Sequence, residues 1–547
     1  MATVYVNDKP VDIGTERLNL VQAAGKAGVF IPHYCWHPAL SVVASCRMCL
    51  VEVGEKKPDG TVAMQPRVVP ACQTPAKDGT IVITSSPKAR FAQEQTLESL
   101  LLNHPLDCPV CDKAGECLLQ DYSFRFGRAT SRMIDPKNQP PNKDYIGEHI
   151  TLFADRCILC SRCVRFTREI SGTAELQVIS RGHHSEIDIF PGEPVNNKLA
   201  GNVVDICPVG ALCSKDFLYK QRVWFLRSQK SVCPDCSTGC SIDIDHNKDI
   251  VYRLRPRENP LAQGHFMCDE GRFNYPYINS AARIFLPSQR GSNGQAGDIW
   301  QHVLSSLRRD LRAAAQRDGS SVAAVLSPFL TCEEAYLLAR LMKGLSPDAR
   351  LYLGHVPVHG EDDRYPKDRK GRPIEPVKFT IRAEKCPNRR GVEAILRHFD
   401  GEVRDFGQAL HAAGEGRIKA LYLTAGYSPR AGAWITAEQT KNLQAVPLLI
   451  VQDLLATPAS ALAHYVLPAA SFAEKDGTFV NHAGLAQAIR WAVRPAQTER
   501  TDGQVFLDLL ERRGLVHTPT LRKELAAEVA YFAPLAGDLG ELGIMLT

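Results

Sequence analysis

Fifteen cysteines and one histidine in the first half of this 547-residue chain fall into four sets of four metal-ligating side chains. The sets are Cys35, Cys46, Cys49 and Cys72; His104, Cys108, Cys111 and Cys117; Cys157, Cys160, Cys163 and Cys207; and Cys233, Cys236, Cys240 and Cys268. Thiolates at such spacings hold iron–sulfur clusters, and zinc is the plainer alternative. The opening MATVYVNDKPVDI has neither a basic nor an apolar leader segment, so no signal peptide is expected. Eighteen cysteines without an export signal point to metal ligation rather than disulfides. Four clusters on one chain would make a path for electrons.

The first set reads C-x10-C-x2-C-x22-C. A plant-type [2Fe–2S] site starts C-x4-C-x2-C, so the first gap is longer here. The second set, H-x3-C-x2-C-x5-C, puts an imidazole in place of a thiolate. That makes the site less negative and favours its reduced state, as histidines do in Rieske centres. The third set starts as a bacterial ferredoxin run, Cys157-x2-Cys160-x2-Cys163, but Thr167 stands at the fourth position. A second run survives only as Cys207-Pro208, with Asn197, Ala200 and Val203 where its other cysteines would be. In two-cluster ferredoxins the fourth Cys of one run serves the other cluster. Cys207 therefore belongs with Cys157, Cys160 and Cys163, in a two-cluster fold that has lost one cluster. The fourth set reads C-x2-C-x3-C-x27-C. Zinc remains open for the first, second and fourth sets. Cys213, Cys332 and Cys386 fit no set and read as buried structural thiols.

Elements that position these residues are visible around them. Val4–Val6 and Val11–Ile13 about Asn7-Asp8 read as a hairpin, Leu18–Val29 as a helix, and Leu50–Val53 and Thr80–Ile83 as strands. Pro87–Leu102 reads as a helix and residues 135–143 as a linker. Strands at Ser241–Asp245 and Ile250–Leu254 flank a turn at His246–Asp249. Beyond residue 290, helices at Ile299–Ala315 and Glu333–Met342 alternate with strands at Val322–Leu326, Ile418–Leu423 and Pro447–Val451. That alternation predicts a parallel sheet with helices. Residues 356–390 carry no clear pattern, and the last ~30 residues are only weakly helical.

Composition narrows the function. The chain is 44% hydrophobic and 23% charged, with a formal net charge of +5, which gives no case for nucleic acid. No apolar run reaches the ~18 residues of a membrane span. No G-x-G-x-x-G follows a strand, so a dinucleotide site is not expected here.

HPLDCPVCDKAGEC (104–117), DRCILCSRCVRF (155–166), VVDICPVGAL (203–212) and CPDCSTGC (233–240) together resemble the large iron–sulfur subunit of the peripheral arm of complex I, NADH:quinone oxidoreductase. Later pieces, LYLTAGYSPR (421–430), HYVLP (464–468) and EKDGTFVN (474–481), resemble that family's molybdopterin-enzyme-like domain. The resemblance implies a multidomain α+β and α/β chain: a plant-type ferredoxin fold (1–85), a one-His/three-Cys cluster domain (86–144), a degenerate two-cluster ferredoxin fold (145–220), a cluster subdomain of molybdopterin-oxidoreductase type (221–275) and a shortened α/β domain (276–547). It implies one [2Fe–2S] cluster on the first set and three [4Fe–4S] clusters on the others, the fourth lying off the main path. No Cys stands where active molybdopterin relatives carry a catalytic one, so no molybdopterin and no catalytic residue are expected. Electrons would come from a flavin- and NADH-binding partner subunit. They would run through the first, second and third sets in that order to further iron–sulfur subunits, and reach the membrane arm only indirectly. The implied location is the cytoplasmic face of a bacterial inner membrane. The electron-transfer part of an NAD-linked formate dehydrogenase or hydrogenase is the rival, and a zinc-binding scaffold the alternative of another class.

Overall fold

The opening hairpin forms where the alternation puts it. Strands β1 (Ala2–Val6) and β2 (Lys9–Gly14) turn through Asn7 and Asp8, both at positive φ (47° and 66°), and bury Val4, Val6, Val11 and Ile13. Helix α1 (Leu20–Lys26) is shorter than its apolar spacing, because Asn19 and Gln22 cap it reciprocally at its start. Strands β3 (Leu50–Lys56), β4 (Val62–Met64), β5 (Val69–Pro70) and β6 (Thr80–Ile83) complete a mixed sheet. Its order is β2-β1-β6-β3-β4, with β5 on β3 and β1 parallel to β6. Helix α2 (Pro87–Leu101) starts at the Ser86 cap with proline in its first turn. Helix α3 (Leu118–Phe126) begins directly after Cys117.

Residues 135–143 form no helix or strand. Beyond them come β7 (Ile150–Leu152), α4 (Arg162–Phe166), the hairpin β8 (Leu176–Ile179) and β9 (Glu186–Ile189), then α5 (Asn202–Ile206) and β10 (Leu212–Ser214), which pairs with β7. Helix α4 runs into one π-helical turn, Thr167–Ser171. The computed structural model describes residues 2–57, 61–291, 299–495 and 500–546. The chain forms two units: Met1–Phe225 with Tyr365–Lys378, and Leu226–Arg364 with Phe379–Thr547.

The second unit starts with an antiparallel sheet of β11 (Arg227–Val232), β12 (Ser241–Asn247) and β13 (Ile250–Pro256). His246 and Asn247 remain in β12. The turn is tighter than the sequence suggests, because Lys248 and Asp249 adopt positive φ. After the short helix α6 (Asp269–Arg272) come β14 (Ser288–Gln289), α7 (Ile299–Arg317), β15 (Val322–Leu326), α8 (Cys332–Leu345) and β16 (Arg350–Leu353). The ribbon β17 (Asp363–Tyr365) and β18 (Phe379–Ile381) precedes α9 (Arg389–Asp400) and α10 (Phe406–Gly414). Then follow β19 (Ala420–Thr424), β20 (Leu448–Asp453), α11 (Pro458–Leu462) and β21 (Tyr465–Pro468).

These strands build a sheet in the order β14-β21-β20-β19-β15-β16, parallel except at β14. Alternate residues of β15 enter two apolar cores: Val322, Ala324 and Leu326 face one, Ala323 and Val325 the other. Both faces are covered, as a parallel sheet requires. A ribbon of β22 (Gly477–Val480), β23 (Leu485–Ile489) and β24 (Ile544–Met545) and helices α12 (Asp502–Leu509) and α13 (Thr518–Glu528) complete the unit. No helix among the described residues is long and apolar enough to cross a membrane.

Candidate metal centres

All eighteen cysteines are free. Of the fifteen in the four sets, Cys46, Cys108 and Cys157 are half-buried and the others buried. Among the described residues no three His, Cys, Asp or Glu side chains are arranged to hold a single metal ion. The cysteines of each set are nevertheless electrostatic neighbours. Cys35, Cys46 and Cys49 lie on the loop from α1 to β3, and Cys72 follows β5. Thiol–thiol hydrogen bonds join Cys35 to Cys46 and Cys72, and Cys72 to Cys49. Those bonds hold Cys35 and Cys49 below the usual thiol range and drive Cys72 well above it.

In the second set, burial pushes Cys111 up, and Cys117 up to about 11. Cys108 acts on Cys111, and Cys111 on Cys117. Burial pushes His104 down to about 4, against the opposing pull of Asp107, so its imidazole is neutral at physiological pH. Its Nδ1 is buried and has no hydrogen-bond partner. Gly210 supplies the floor of this site: a Cβ there would lie 2.2 Å from Cys111 Sγ.

The third set gathers residues far apart in sequence. Cys157 and Cys160 lead into α4, Cys163 lies in its first turn, and Cys207 caps the end of α5. Cys163 feels Cys160, Cys157 and Cys207, and burial raises it well above the thiol range. Burial likewise takes Cys160 up to about 11. Thr167, Ala200 and Val203, at three places where the two runs lack a cysteine, are buried in the fold. In the fourth set, Cys233 feels Cys240, Cys268 and Cys236, and burial raises Cys233 and Cys240 well above their ordinary range. A Cβ on Gly271 would lie 2.6 Å from Cys233 Sγ. Beside this set, burial raises the Asp235 carboxyl to about 6, while Asn274 Nδ2 (2.6 Å) and Ser428 Oγ (2.8 Å) donate to it.

The donor chemistry fits metal clusters. Buried thiols disfavour the thiolate form unless a positive charge compensates it, and a coordinated metal does so outright. A neutral imidazole whose buried Nδ1 has no hydrogen-bond partner is competent as a ligand, and that is the donor type the second set needs from His104.

The first three sets share one unit, and side chains between them join their loops. Arg162 donates to Trp36 O (2.6 Å) and Ile206 O (3.1 Å). Arg165 donates to Cys35 O (2.5 Å) and Cys160 O (3.2 Å). Leu118 N donates to Pro208 O (3.0 Å), linking the residues that follow Cys117 and Cys207. Tyr34 and Tyr122 pack with ring centroids 5.0 Å apart, and Tyr34 feels both Cys117 and Cys46. Cys213 feels Cys207 and Cys111 and is pushed by burial up to about 12, so it lies between two sets without joining either. Cys332 is buried and donates to Asn388 Oδ1 (3.4 Å). Cys386 is buried beside Glu384 and Arg389, with Cys236 a weaker neighbour.

Residues 1–87 match the 2Fe-2S iron-sulfur cluster binding domain. Residues 93–132 match the NADH-ubiquinone oxidoreductase-G iron-sulfur binding region, and 147–213 the ferredoxin-like domain of NADH-quinone oxidoreductase subunit 3. The chain is homologous to the G subunit of NADH-quinone oxidoreductase. The G subunit from Rickettsia felis is 35% identical over 345 residues, 63% of this chain and 49% of that protein. That from Streptomyces coelicolor is 34% identical over 328 residues, 59% of this chain and 37% of that protein. The mitochondrial NADH dehydrogenase [ubiquinone] iron-sulfur protein 1 of Solanum tuberosum is 38% identical over 366 residues, 64% of this chain and 48% of that protein. The matched region thus covers about half or less of these relatives. Residues 226–280 match the molybdopterin oxidoreductase Fe4S4 domain and 401–512 the molybdopterin oxidoreductase family. A solved NAD+-reducing [NiFe]-hydrogenase chain aligns at 28% identity over 41% of this chain and 91% of its own, with a TM-score of 0.35. The chain is therefore multidomain, with a 2Fe-2S domain, 4Fe-4S domains and a molybdopterin-oxidoreductase-like region.

Proposed function

We propose that this chain is the electron-transfer subunit of an NADH:quinone oxidoreductase of the complex I type, at the cytoplasmic face of a bacterial inner membrane. It accepts electrons one at a time from a flavin-bearing, NADH-oxidising partner and hands them to another iron–sulfur subunit. Cys35, Cys46, Cys49 and Cys72 hold one [2Fe–2S] cluster. His104 with Cys108, Cys111 and Cys117, Cys157, Cys160 and Cys163 with Cys207, and Cys233, Cys236 and Cys240 with Cys268 each hold a [4Fe–4S] cluster. Bound clusters supply one-electron redox chemistry, and the protein tunes it through ligand type, burial and hydrogen bonds.

The observation that carries this reading is the convergence of three donor sets in one unit, joined by Arg162, Arg165 and the Leu118–Pro208 link. Those links favour an order different from the one the resemblance implies. The third set's loops make three hydrogen bonds to residues at or beside the other two sets, whereas the first and second meet across the Tyr34 and Tyr122 rings with one long bond, Tyr122 Oη donating to His33 O at 3.4 Å. We therefore place the third set in the middle of the path. In this reading the fourth set and the molybdopterin-oxidoreductase-like region carry no step of the transfer.

The test is anaerobic purification with metal and sulfide analysis and electron paramagnetic resonance. Iron and acid-labile sulfide in near-equal amounts, with signals appearing on dithionite reduction, are expected. Zinc without any such signal would overturn the reading. Proton-pumping membrane subunits should co-purify, and a nickel or molybdenum subunit in their place would assign the chain to the rival complexes.

A further inference from the structure

Two arginines lie where a buried cation is costly. Arg162 and Arg165, three residues apart on α4, are 7% and 8% exposed. A buried charge persists only with a counter-charge close by. Neither guanidinium has a carboxylate partner among the described residues. Arg162 spends Nη1 and Nη2 on the carbonyls of Ile206 and Trp36, and its Nε is buried with no partner at all. Arg165 spends its donors on Ser161 Oγ and the carbonyls of Ser41, Cys35 and Cys160. Glu169 takes Ser41 from the other side, accepting from its N–H at 2.8 Å, but makes no ion pair with Arg165. Every hydrogen bond the two guanidiniums make goes to a neutral oxygen, which leaves both charges unmatched.

The anions within reach are the thiolates of the third set. Cys160 feels both guanidiniums, and Arg162 also feels Cys207. On the other side the same two side chains touch Cys35 and Trp36 only through neutral carbonyls. We propose that Arg162 and Arg165 are the built-in counter-charge of the third metal centre, raising its potential above that of the same centre without them while pinning it to the loop of the first. This rests on the cluster reading above. An electron entering a thiolate-held centre adds one negative charge, and a fixed cation beside it favours that state. The effect on the first centre is smaller, because there the cations act through carbonyls and not on the thiolates.

The experiment is a redox titration of the full chain, purified anaerobically and followed by electron paramagnetic resonance. Wild type is compared with Arg162→Gln, Arg165→Gln and Arg162→Lys. Both glutamine variants should lower the third centre's midpoint. At a fixed potential its reduced-to-oxidised ratio should fall about tenfold, which is about 59 mV for one electron. The first centre should shift less, and Arg162→Lys should stay closer to wild type than Arg162→Gln. An intact third-centre signal with an unmoved midpoint in Arg162→Gln overturns the proposal. So does an Arg162→Lys midpoint as low as that of the glutamine variant, which would make the role geometric. If Arg162→Gln loses the centre, Arg162→Lys decides: a centre kept near its normal midpoint supports the charge, and a centre lost or lowered tenfold overturns it. A wild-type protein without any third-centre signal would instead defeat the cluster reading itself.

Discussion

His104 differs from the other fifteen donors in carrying no charge when it ligates. Burial takes its pKa down to about 4, so the imidazole is neutral above that pH and offers a lone pair without a proton having to leave. His104→Cys should keep the second centre but add a thiolate. Its midpoint should then fall in a redox titration followed by electron paramagnetic resonance, and a raised or unmoved midpoint would count against His104 as a ligand. Gly210 is constrained by contact instead. Its missing Cβ leaves room for Cys111 Sγ, 2.2 Å from where that carbon would be. Gly210→Ala should displace Cys111 and diminish the second-centre signal relative to the first, or cost about 1–3 kcal/mol of stability by overpacking. Full signal at unchanged stability would show that the site can yield. The cysteine spacings are legible in the sequence because ligand patterns are local repeats. Gly210, Arg162 and Arg165 are not, although all three lie inside the quoted motifs. Their roles depend on contacts with Cys111, Trp36 and Cys35, tens of residues or more away.

At the scale of elements, legibility follows the strength of local signals. Val322–Leu326 is a continuous apolar run buried on both faces, and α8 has the reciprocal cap of Thr331 and Glu334. Strands β16 and β21 have only four residues each, and β21 ends in a proline, so neither announces itself. Helices α9 and α10 fall in and beyond a polar stretch where alternation is hard to see, although Asp405 and Gln408 cap α10 well. The weakly helical C-terminus contains α12 and α13. Glu474, which opens the EKDGTFVN piece, is half of a buried clamp whose partner lies far off in the sequence. Arg283 Nη1 and Nη2 each donate to its carboxylate at 2.7 Å, and both side chains are 1% exposed. The same guanidinium also donates to Ile278 O and Ala469 O, tying the segment before β14 to the end of β21. Breaking a buried pair from one side leaves a charge without compensation. Arg283→Met should therefore cost about 3–5 kcal/mol in urea unfolding of the second unit. The double variant with Glu474→Leu should recover most of the loss. A single variant as stable as wild type would mean that water or another cation reaches Glu474.

The whole molecule is built in two ways at once. The second unit folds around a six-stranded sheet with an apolar core on each face. The first unit keeps a sheet of its own at the start, but the second donor set sits on the loop between α2 and α3, and the third among short elements: three residues in β7, five in α4 and five in α5. Its parts are also collected from a distance, since residues 365–378 belong to it although the chain around them belongs to the second unit. No local pattern could reveal that, because membership of a unit is a property of contacts and not of sequence. Metal bound by folded but not unfolded chain stabilises the fold that presents the ligands. With three sets in the first unit and one in the second, stripping the metal should act on the two units unequally. Chelation under reducing conditions removes the centres without making disulfides, and limited proteolysis then reports which parts open. Cleavage should appear first within residues 86–225, on the loops that carry the second and third sets, while a fragment holding the sheet from β15 to β21 persists. Equal protection of both units after complete iron loss would mean that protein contacts alone hold the first unit. Earlier cleavage within the β15–β21 sheet would mean that the fourth set, and not the other three, is the one on which the fold depends.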